Sequence, residues 1–281
     1  MPSIFWFRRD LRLRDNPGLL AAANESRSLG DGEVVPLFVL DPRLWASAGP
    51  VRQAYLVASL ASLDASLGGS LLIRHGDPLT CVPAVAAASN ASSVHVAADF
   101  GPYGQERDFA VDRALGDVPF IRTGSPYAVA PDRVRKDDGT PYRVYTPFYR
   151  AWLRHRWPAP AAGLPPELRW SMPLDCHGFP DSPDLGQLVL PPAGEQAAWA
   201  QWERFRAGGL STYAELRNRP DLAGTSALGH HLKWGEIHPR SLLAELTDEE
   251  EVFRKELCWR EFYADVLYQR PDSARASLDA R

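Results

Sequence analysis

The run Ile4-Phe5-Trp6-Phe7-Arg8-Arg9-Asp10-Leu11-Arg12-Leu13-Arg14-Asp15-Asn16-Pro17 decides how the chain is read. Four apolar residues form a short buried strand. A charged turn follows, and Asp15-Asn16 with Pro17 at the first turn opens a helix, because an Asx side chain accepts from free N–H groups where proline needs none. The alternation then repeats outward. Strands are predicted over 34–40, 70–73, 94–97 and 118–122, with helices over 17–23, 51–67, 78–88 and 104–115. Five strands separated by helices require right-handed crossovers and a mostly parallel sheet covered on both faces, a doubly wound α/β domain. In such sheets ligands bind beyond the carboxyl ends of the strands. The residues predicted there, Arg8-Arg9-Asp10, Leu40-Asp41-Pro42, Arg74-His75-Gly76-Asp77 and Asp99-Phe100-Gly101, form a polar rim.

After Thr146-Pro147-Phe148 and a short helix through Trp152 and Trp157, the prolines multiply and periodicity fades. The expected organisation is an α/β domain over 1–157, a linker over 158–193 packed along the domain surface, and the start of an all-α unit over 194–281. The 281 residues suit two domains of roughly 150 residues, or one and part of another. With 45% apolar and 23% charged residues the composition is that of a globular chain, and the formal charge of −4 supplies no global basic field, so any nucleic acid must meet a local patch. Cys81, Cys176 and Cys258 are too far apart for a zinc-type pair and suit a reduced, cytoplasmic chain. The first residues lack the charged lead and apolar run of a signal peptide, so none is expected, and no membrane span is expected because no stretch nears the roughly 18 apolar residues a spanning helix needs. A dinucleotide fingerprint, a P-loop and a nucleophile elbow are all absent from the sequence.

The long helical pattern over 249–268 carries the sharpest chemical signal. At about 100° per residue, Val252, Phe253, Glu256, Trp259, Arg260, Tyr263 and Leu267 share one arc, with Glu251, Arg254, Cys258, Glu261 and Asp265 opposite on a face predicted to meet solvent. Glu256 and Arg260 on the aromatic arc are either an ordinary i, i+4 pair or functional charges that need partners. Gly224-Thr225-Ser226-Ala227-Leu228-Gly229 precedes a helix, where hydroxyls and free N–H groups hold an anion or simply cap. Tyr213 with Arg217 one turn later could face the same pocket. His230-His231 reads as capping or surface chemistry, and no metal site is expected.

In combination these segments resemble the DNA photolyase and cryptochrome family. The resemblance runs through residues 5–16, Pro102-Tyr103-Gly104 with Arg107-Asp108, Thr146-Pro147-Phe148, Tyr213 with Arg217, Gly224-Thr225-Ser226, Leu232-Lys233-Trp234-Gly235-Glu236-Ile237 with Pro239-Arg240, and Glu256-Leu257-Cys258-Trp259-Arg260-Glu261-Phe262-Tyr263. It implies an antenna domain, a linker and a helical FAD-binding domain. The implied activity is that of a deoxyribodipyrimidine photolyase, a carbon-carbon lyase that repairs cyclobutane pyrimidine dimers in ultraviolet-damaged DNA by electron transfer from reduced FAD to a flipped-out lesion.

By position, the resemblance implies FAD contacts at Tyr213, Thr225, Ser226, Ala227, Leu228, Gly229, Phe253, Glu256 and Arg260. It implies DNA contacts at Arg217, Glu256, Trp259, Arg260 and Tyr263, with Glu256 and Trp259 at the dimer. Ala227 and Gly229 stand where relatives carry Arg and Ser. An antenna chromophore, a deazaflavin or a folate, is also implied; Tyr103-Gly104 replaces the Asn-Glu pair of folate users. Relatives continue well past the position of Arg281, so a truncated flavin domain is expected, and a monomer when complete. The alternatives are a cryptochrome-like blue-light photoreceptor without repair and a non-enzymatic, chromophore-binding remnant.

Overall fold

The computed structural model describes residues 1–30 and 32–277; the last four residues of the expected helical unit, 278–281, lie outside the described residues. Strand β1 (Ser3–Phe7) is central because every residue in it is buried. It pairs in parallel with β2 (Glu33–Leu40) and β4 (Ser93–Val96), Ile4 standing opposite Val35 on one side and Val94 on the other. With β3 (Leu72–His75) and β5 (Phe120–Arg122) the order is β3-β2-β1-β4-β5, the doubly wound arrangement expected. Helices α1 (Pro17–Leu29), α2 (Pro42–Ser47), α3 (Pro50–Ser66), α4 (Pro78–Ser89) and α5 (Pro102–Ala114) form the crossovers. All five begin at the proline after a capping position, and Asn16, Asp41 and Asp77 each accept a backbone N–H there.

Strand pleating divides the core. Ile4 and Trp6 pack with Val82, Val85, Val111 and Leu115 on one face, while Phe5 and Phe7 pack with Leu19, Leu56, Leu60 and Leu63 on the other. The linker adheres to this domain, as expected of its apolar content. A two-residue strand β6 (Arg169–Trp170) pairs with β2, the Ile73 amide donates to Cys176 Sγ, and the His75 amide donates to His177 Nδ1. All three cysteines are free.

A third core joins residues on both sides of the linker. Helix α6 (Tyr145–His155) packs with α7 (Glu195–Gly208), α8 (Tyr213–Leu216), α9 (Gly229–Trp234), α10 (Pro239–Ala244) and α11 (Glu251–Gln269), so that Ala128, Phe148 and Trp152 share one cluster with Trp202, Leu242, Phe253 and Phe262. The division between cores therefore falls near residues 121–127, earlier than a boundary at 157.

Helix α11 reverses the expected orientation of its faces. Its buried residues are Phe253, Leu257, Cys258, Glu261, Phe262 and Asp265, so Cys258, Glu261 and Asp265 turn inward while Tyr263 is 62% exposed. The reason is partnership. Glu261 accepts from the Ala128 and Val129 amides (2.5 and 3.0 Å) and from Trp152 Nε1 (2.6 Å), and Asp265 accepts from the Asp132 amide at 2.7 Å. A hydrophobicity pattern cannot distinguish a carboxylate facing water from one facing backbone donors of a distant segment.

The two units meet at the turn after β1. The Leu11 amide donates to the Trp234 carbonyl, and the Arg12 guanidinium donates to the Gly235 and Asp15 carbonyls. Gly235 has φ +67°, and a Cβ there would collide with the Arg9 carbonyl and stand 2.7 Å from Asp10 Cα. Neither backbone can yield without moving β1. Gly235→Ala is expected to cost more than ~2 kcal/mol, combining left-handed strain with an interface clash. A denaturation midpoint equal to that of the parent chain would disprove the close approach.

Burial pushes the Glu261 carboxyl up to about 7, against its three donors and the Arg260 charge. A raised acid pKa in the folded state contributes stability below the ordinary value of 4.5, and that contribution is lost as pH rises through about 7. The full swing is ~3 kcal/mol. Relative to Glu261→Gln, the parent chain should lose stability between pH ~5 and ~8. Chemical denaturation across that range checks the slope, and a pH-independent difference would contradict it.

Candidate functional site

A cavity of about 360 Å³ opens at the carboxyl edge of the sheet, over the ends of β1 and β2 and the β4–α5 turn. The strand order reverses between β1 and β4, which leaves a crevice there because successive crossovers run to opposite sides. Arg8, Arg9, Asp41, Asp99 and Gly101 of the expected rim line it. Arg74, His75, Gly76 and Asp77 do not; β3 ends under the linker, where Arg74 donates to the Asp175 carbonyl and His75 contacts Gly178. Four helices add lining that was not read from the rim: α2 with Leu44 and Trp45, α3 with Arg52 and Leu56, α5 with Tyr103 and Arg107, and α9 with Lys233 and Trp234. Helix α9 follows the rim residues by more than a hundred positions, so no local pattern pointed to it.

The cavity floor is held by ion pairs. Arg8 and Arg107 both engage Asp108, at 2.5 and 2.7 Å, and both stack on the Trp6 ring. Arg107 also reaches Asp99 at 3.3 Å. Gly104 is required here, because any Cβ would overlap the Asp99 carboxylate. The Tyr103 hydroxyl donates to Asp41, and burial with that bond pushes the phenol up to about 12. Apolar walls, aromatic faces and fixed cations suit a planar aromatic ligand.

The second region lies along α11 and α8. Glu256 pairs with Arg217 at 2.5 Å, and the Arg217 guanidinium lies 5.7 Å from the centre of the Tyr213 ring. Glu256 therefore does not use Arg260 as an i, i+4 partner. Trp259 stacks face to face on Tyr145, with centroids 3.5 Å apart and planes 8° apart, and its neighbour Tyr263 projects to solvent. Arg260 points between the units, donating to the Pro126 and Leu232 carbonyls and lying over the Tyr127 ring. Burial lowers its pKa. Phe253 and Tyr213 are buried together with Trp202 and Phe205 in one aromatic cluster.

In the 225–229 segment Thr225, Ala227 and Gly229 are exposed, Ser226 is half-buried and Leu228 is buried. Ala227 adopts φ +51°. Leu228 occupies the cap position of α9 and no side chain caps that helix, so neither hydroxyl serves as its cap. Ser226 Oγ accepts only a long bond from the Leu228 amide, 3.4 Å. His231 departs from a surface reading: it is buried and bonded to Glu236 at 2.5 Å, beside the Tyr55 hydroxyl. Among the described residues no cluster of side chains has metal-ligand geometry, and no helix is long and apolar enough to cross a membrane.

The chain is similar in sequence and fold to known proteins. The family model for DNA photolyase matches residues 3–166. A deoxyribodipyrimidine photo-lyase of Synechococcus sp. (strain ATCC 27144 / PCC 6301 / SAUG 1402/1) is 34% identical over an alignment covering 97% of this chain and 62% of its own. An uncharacterised 31.6 kDa protein of Synechococcus sp. (strain PCC 6716) is 36% identical, covering 92% of this chain and 98% of its own. The crystal structure of a class III photolyase from Agrobacterium tumefaciens has a TM-score of 0.80 at 31% identity, covering 99% of this chain and 61% of that one. The chain thus spans about six tenths of the length of the photo-lyase relatives it matches. A family model matched across more than half of the residues, on the fold and sheet-edge geometry described above, establishes that the chain belongs to the DNA photolyase family.

Proposed function

We propose that this chain contributes the DNA-facing strip and part of the flavin site of a light-dependent repair enzyme for cyclobutane pyrimidine dimers. The observation that carries the reading is the strip itself: Arg217, Glu256, Trp259 and Tyr263 lie along one partly exposed surface, offering a guanidinium, a carboxylate and two rings. These are the groups that a flipped-out lesion and its flanking phosphate need.

The residues fit FAD at its phosphate end. The Thr225 hydroxyl is exposed and the half-buried Ser226 hydroxyl accepts only the long bond from the Leu228 amide, which leaves both to a phosphate oxygen. Tyr213 and Phe253 would stand behind the cofactor as a rigid aromatic wall, whereas Arg260, expected at FAD and DNA, is spent between the units on the Pro126 and Leu232 carbonyls. When bound and reduced, FAD supplies the photoexcited electron that splits the dimer. The residues of the chain do the positioning. Trp259, fixed by Tyr145, presents its other face to the lesion. Glu256 accepts from the pyrimidine edge. In the free protein Arg217 occupies that carboxylate; a DNA phosphate drawing Arg217 away frees Glu256 where the lesion docks. The cavity at the sheet edge is assigned to a second chromophore, the antenna.

The purified chain should show bound flavin in its visible spectrum and light-dependent repair of a dimer-containing oligonucleotide. Neither signal appearing would sink the active-enzyme reading in favour of a remnant; flavin without repair would favour a photosensor. Glu256→Ala should lower repair by about tenfold or more while changing flavin content little, on the scale of one charge-assisted hydrogen bond to the lesion. If flavin loss dominates, the carboxylate acts at the cofactor instead. Arg217→Ala should weaken binding to all DNA sequences and reduce the salt slope by about one, as expected of a phosphate contact. An unchanged slope would exclude that contact.

A further inference from the structure

Six oxidisable rings form an unbroken file from the exposed strip to the far end of α6. Tyr263 stacks on Trp259 with centroids 5.5 Å apart, Trp259 on Tyr145 at 3.5 Å, Tyr145 on Tyr149 at 5.9 Å and Tyr149 on Trp152 at 6.2 Å; Trp157, just past α6, lies 4.4 Å from Trp152. Successive planes differ by 31° at most. Helical spacing sets the order, since Tyr145, Tyr149 and Trp152 follow at i, i+4, i+7 on α6, and Trp259 and Tyr263 at i, i+4 on α11. Tyr263 is exposed at one end and Trp157 half-buried at the other, while Tyr149 and Trp152 between them are buried. Packing does not demand tyrosine or tryptophan at every step: the neighbouring cluster around Trp202 is built with Phe205 and Phe253.

Loss of one electron makes a phenol or an indole strongly acidic, so a radical comes to rest where a base can take the proton. The Tyr145 hydroxyl donates to the Lys255 carbonyl at 2.8 Å, which is no base, and the adjoining Cys258 thiol is kept protonated by burial. Tyr149 reaches Glu251 only at 3.4 Å, with the Arg254 charge beside it. Trp152 differs. Its Nε1 donates to Glu261 Oε2 at 2.6 Å, a distance for direct proton transfer, and the negative charge there lowers the cost of a positive one on the ring. Trp202 also faces a carboxylate, Glu245 at 2.7 Å, but Arg206 binds the same oxygen and the rings packed on Trp202 are phenylalanines.

We propose that this file drains oxidising equivalents from the strip, passing them from Tyr263 and Trp259 through Tyr145 and Tyr149 to a resting site at Trp152 and Glu261. A diffusing one-electron oxidant removes one electron from Trp259. Electrons then move up the file from Tyr145, Tyr149 and Trp152 in turn, and the Trp152 Nε1 proton passes to Glu261, leaving a neutral indolyl radical and a neutral carboxyl. One electron from a small-molecule reductant such as ascorbate, delivered through Trp157, and the proton returned by Glu261 restore the ring. The exposed rings of the strip are thereby kept intact, and no cofactor takes part.

Tris(bipyridine)ruthenium(III), generated by a light flash from the ruthenium(II) complex with a viologen quencher, is the probe oxidant because it takes one electron and needs no binding site. At a pH above the Glu261 midpoint of about 7, the parent chain should show the absorption of a long-lived neutral tryptophan radical. After repeated flashes in air, peptide mapping should find oxidised tryptophan at 152 and 157, with 259 spared and 202 unmodified. Combining Tyr145→Phe with Tyr149→Phe keeps both rings in place and removes both oxidisable phenols, so damage should move to Trp259 and Tyr263 and be mostly lost from Trp152. Glu261→Gln keeps an acceptor for the indole N–H but no base, so the neutral radical should give way to a short-lived radical cation. Damage confined to Trp259 and Tyr263 in the parent chain, or damage at Trp152 that survives the double phenylalanine variant, would overturn the relay. Trp202 oxidised as heavily as Trp152 would do the same, since no oxidisable ring leads to it among the described residues.

Discussion

The buried ion pair between Asp15 and Arg240 holds the two units in register, and both candidate regions depend on it. Asp15 takes φ +50° just before α1, which turns its carboxylate away from the sheet and toward α10. There it accepts from Arg240 Nε, from the Ser241 hydroxyl at 2.7 Å and from the Ala161 amide at 2.7 Å, so linker and helical unit converge on one side chain. Burying such a pair is costly, and its value lies in geometry: with one partner removed, an uncompensated buried charge costs about 3–5 kcal/mol. His238, beside Asp15 at 3.7 Å, is kept neutral by burial and by the Arg12 and Arg240 charges, so it adds no second cation to the pair.

The same device recurs across the interface with different residues. Glu195 accepts from the Leu13 and Arg14 amides, Glu236 from the Gly194 amide and the Tyr55 hydroxyl, and Glu261 from the Ala128 and Val129 amides. Each carboxylate satisfies backbone donors of irregular segments, most of which would otherwise be buried or half-buried without a partner. Irregular chain such as 124–132 and 190–194 can therefore pack against helices without helical or sheet hydrogen bonds of its own.

This explains which parts of the structure were legible in the sequence. Most of the α/β domain was, because its strands are continuous apolar runs and helices such as α1 open at an Asx-Pro step; the short α2 after Asp41-Pro42 was not, its six residues being too few to show a period. The rim was partly legible, since strand ends are local features, but Lys233 and Trp234 reach the cavity only through tertiary packing. The polar face of α11 was misleading because Glu261 and Asp265 look solvated until their distant amide donors are known. Glu256 and Arg217, singled out separately, lie in one ion pair that no spacing rule connects.

Helix α9 ties these observations together. Its Leu232 carbonyl accepts from Arg260 on α11, its Lys233 and Trp234 side chains line the cavity, and its Trp234 and Gly235 carbonyls receive Leu11 and Arg12 from the turn after β1. Arg260 further binds the Pro126 carbonyl, and Pro126 borders a small crevice formed by Arg8, Arg9 and Asp99. A displacement of α9 would thus be felt at the cavity and at the aromatic strip alike, through contacts that are all buried or half-buried. Docking of this one short helix therefore fixes the separation and orientation of the two candidate regions, because the turn after β1, the cavity wall and α11 all meet on it.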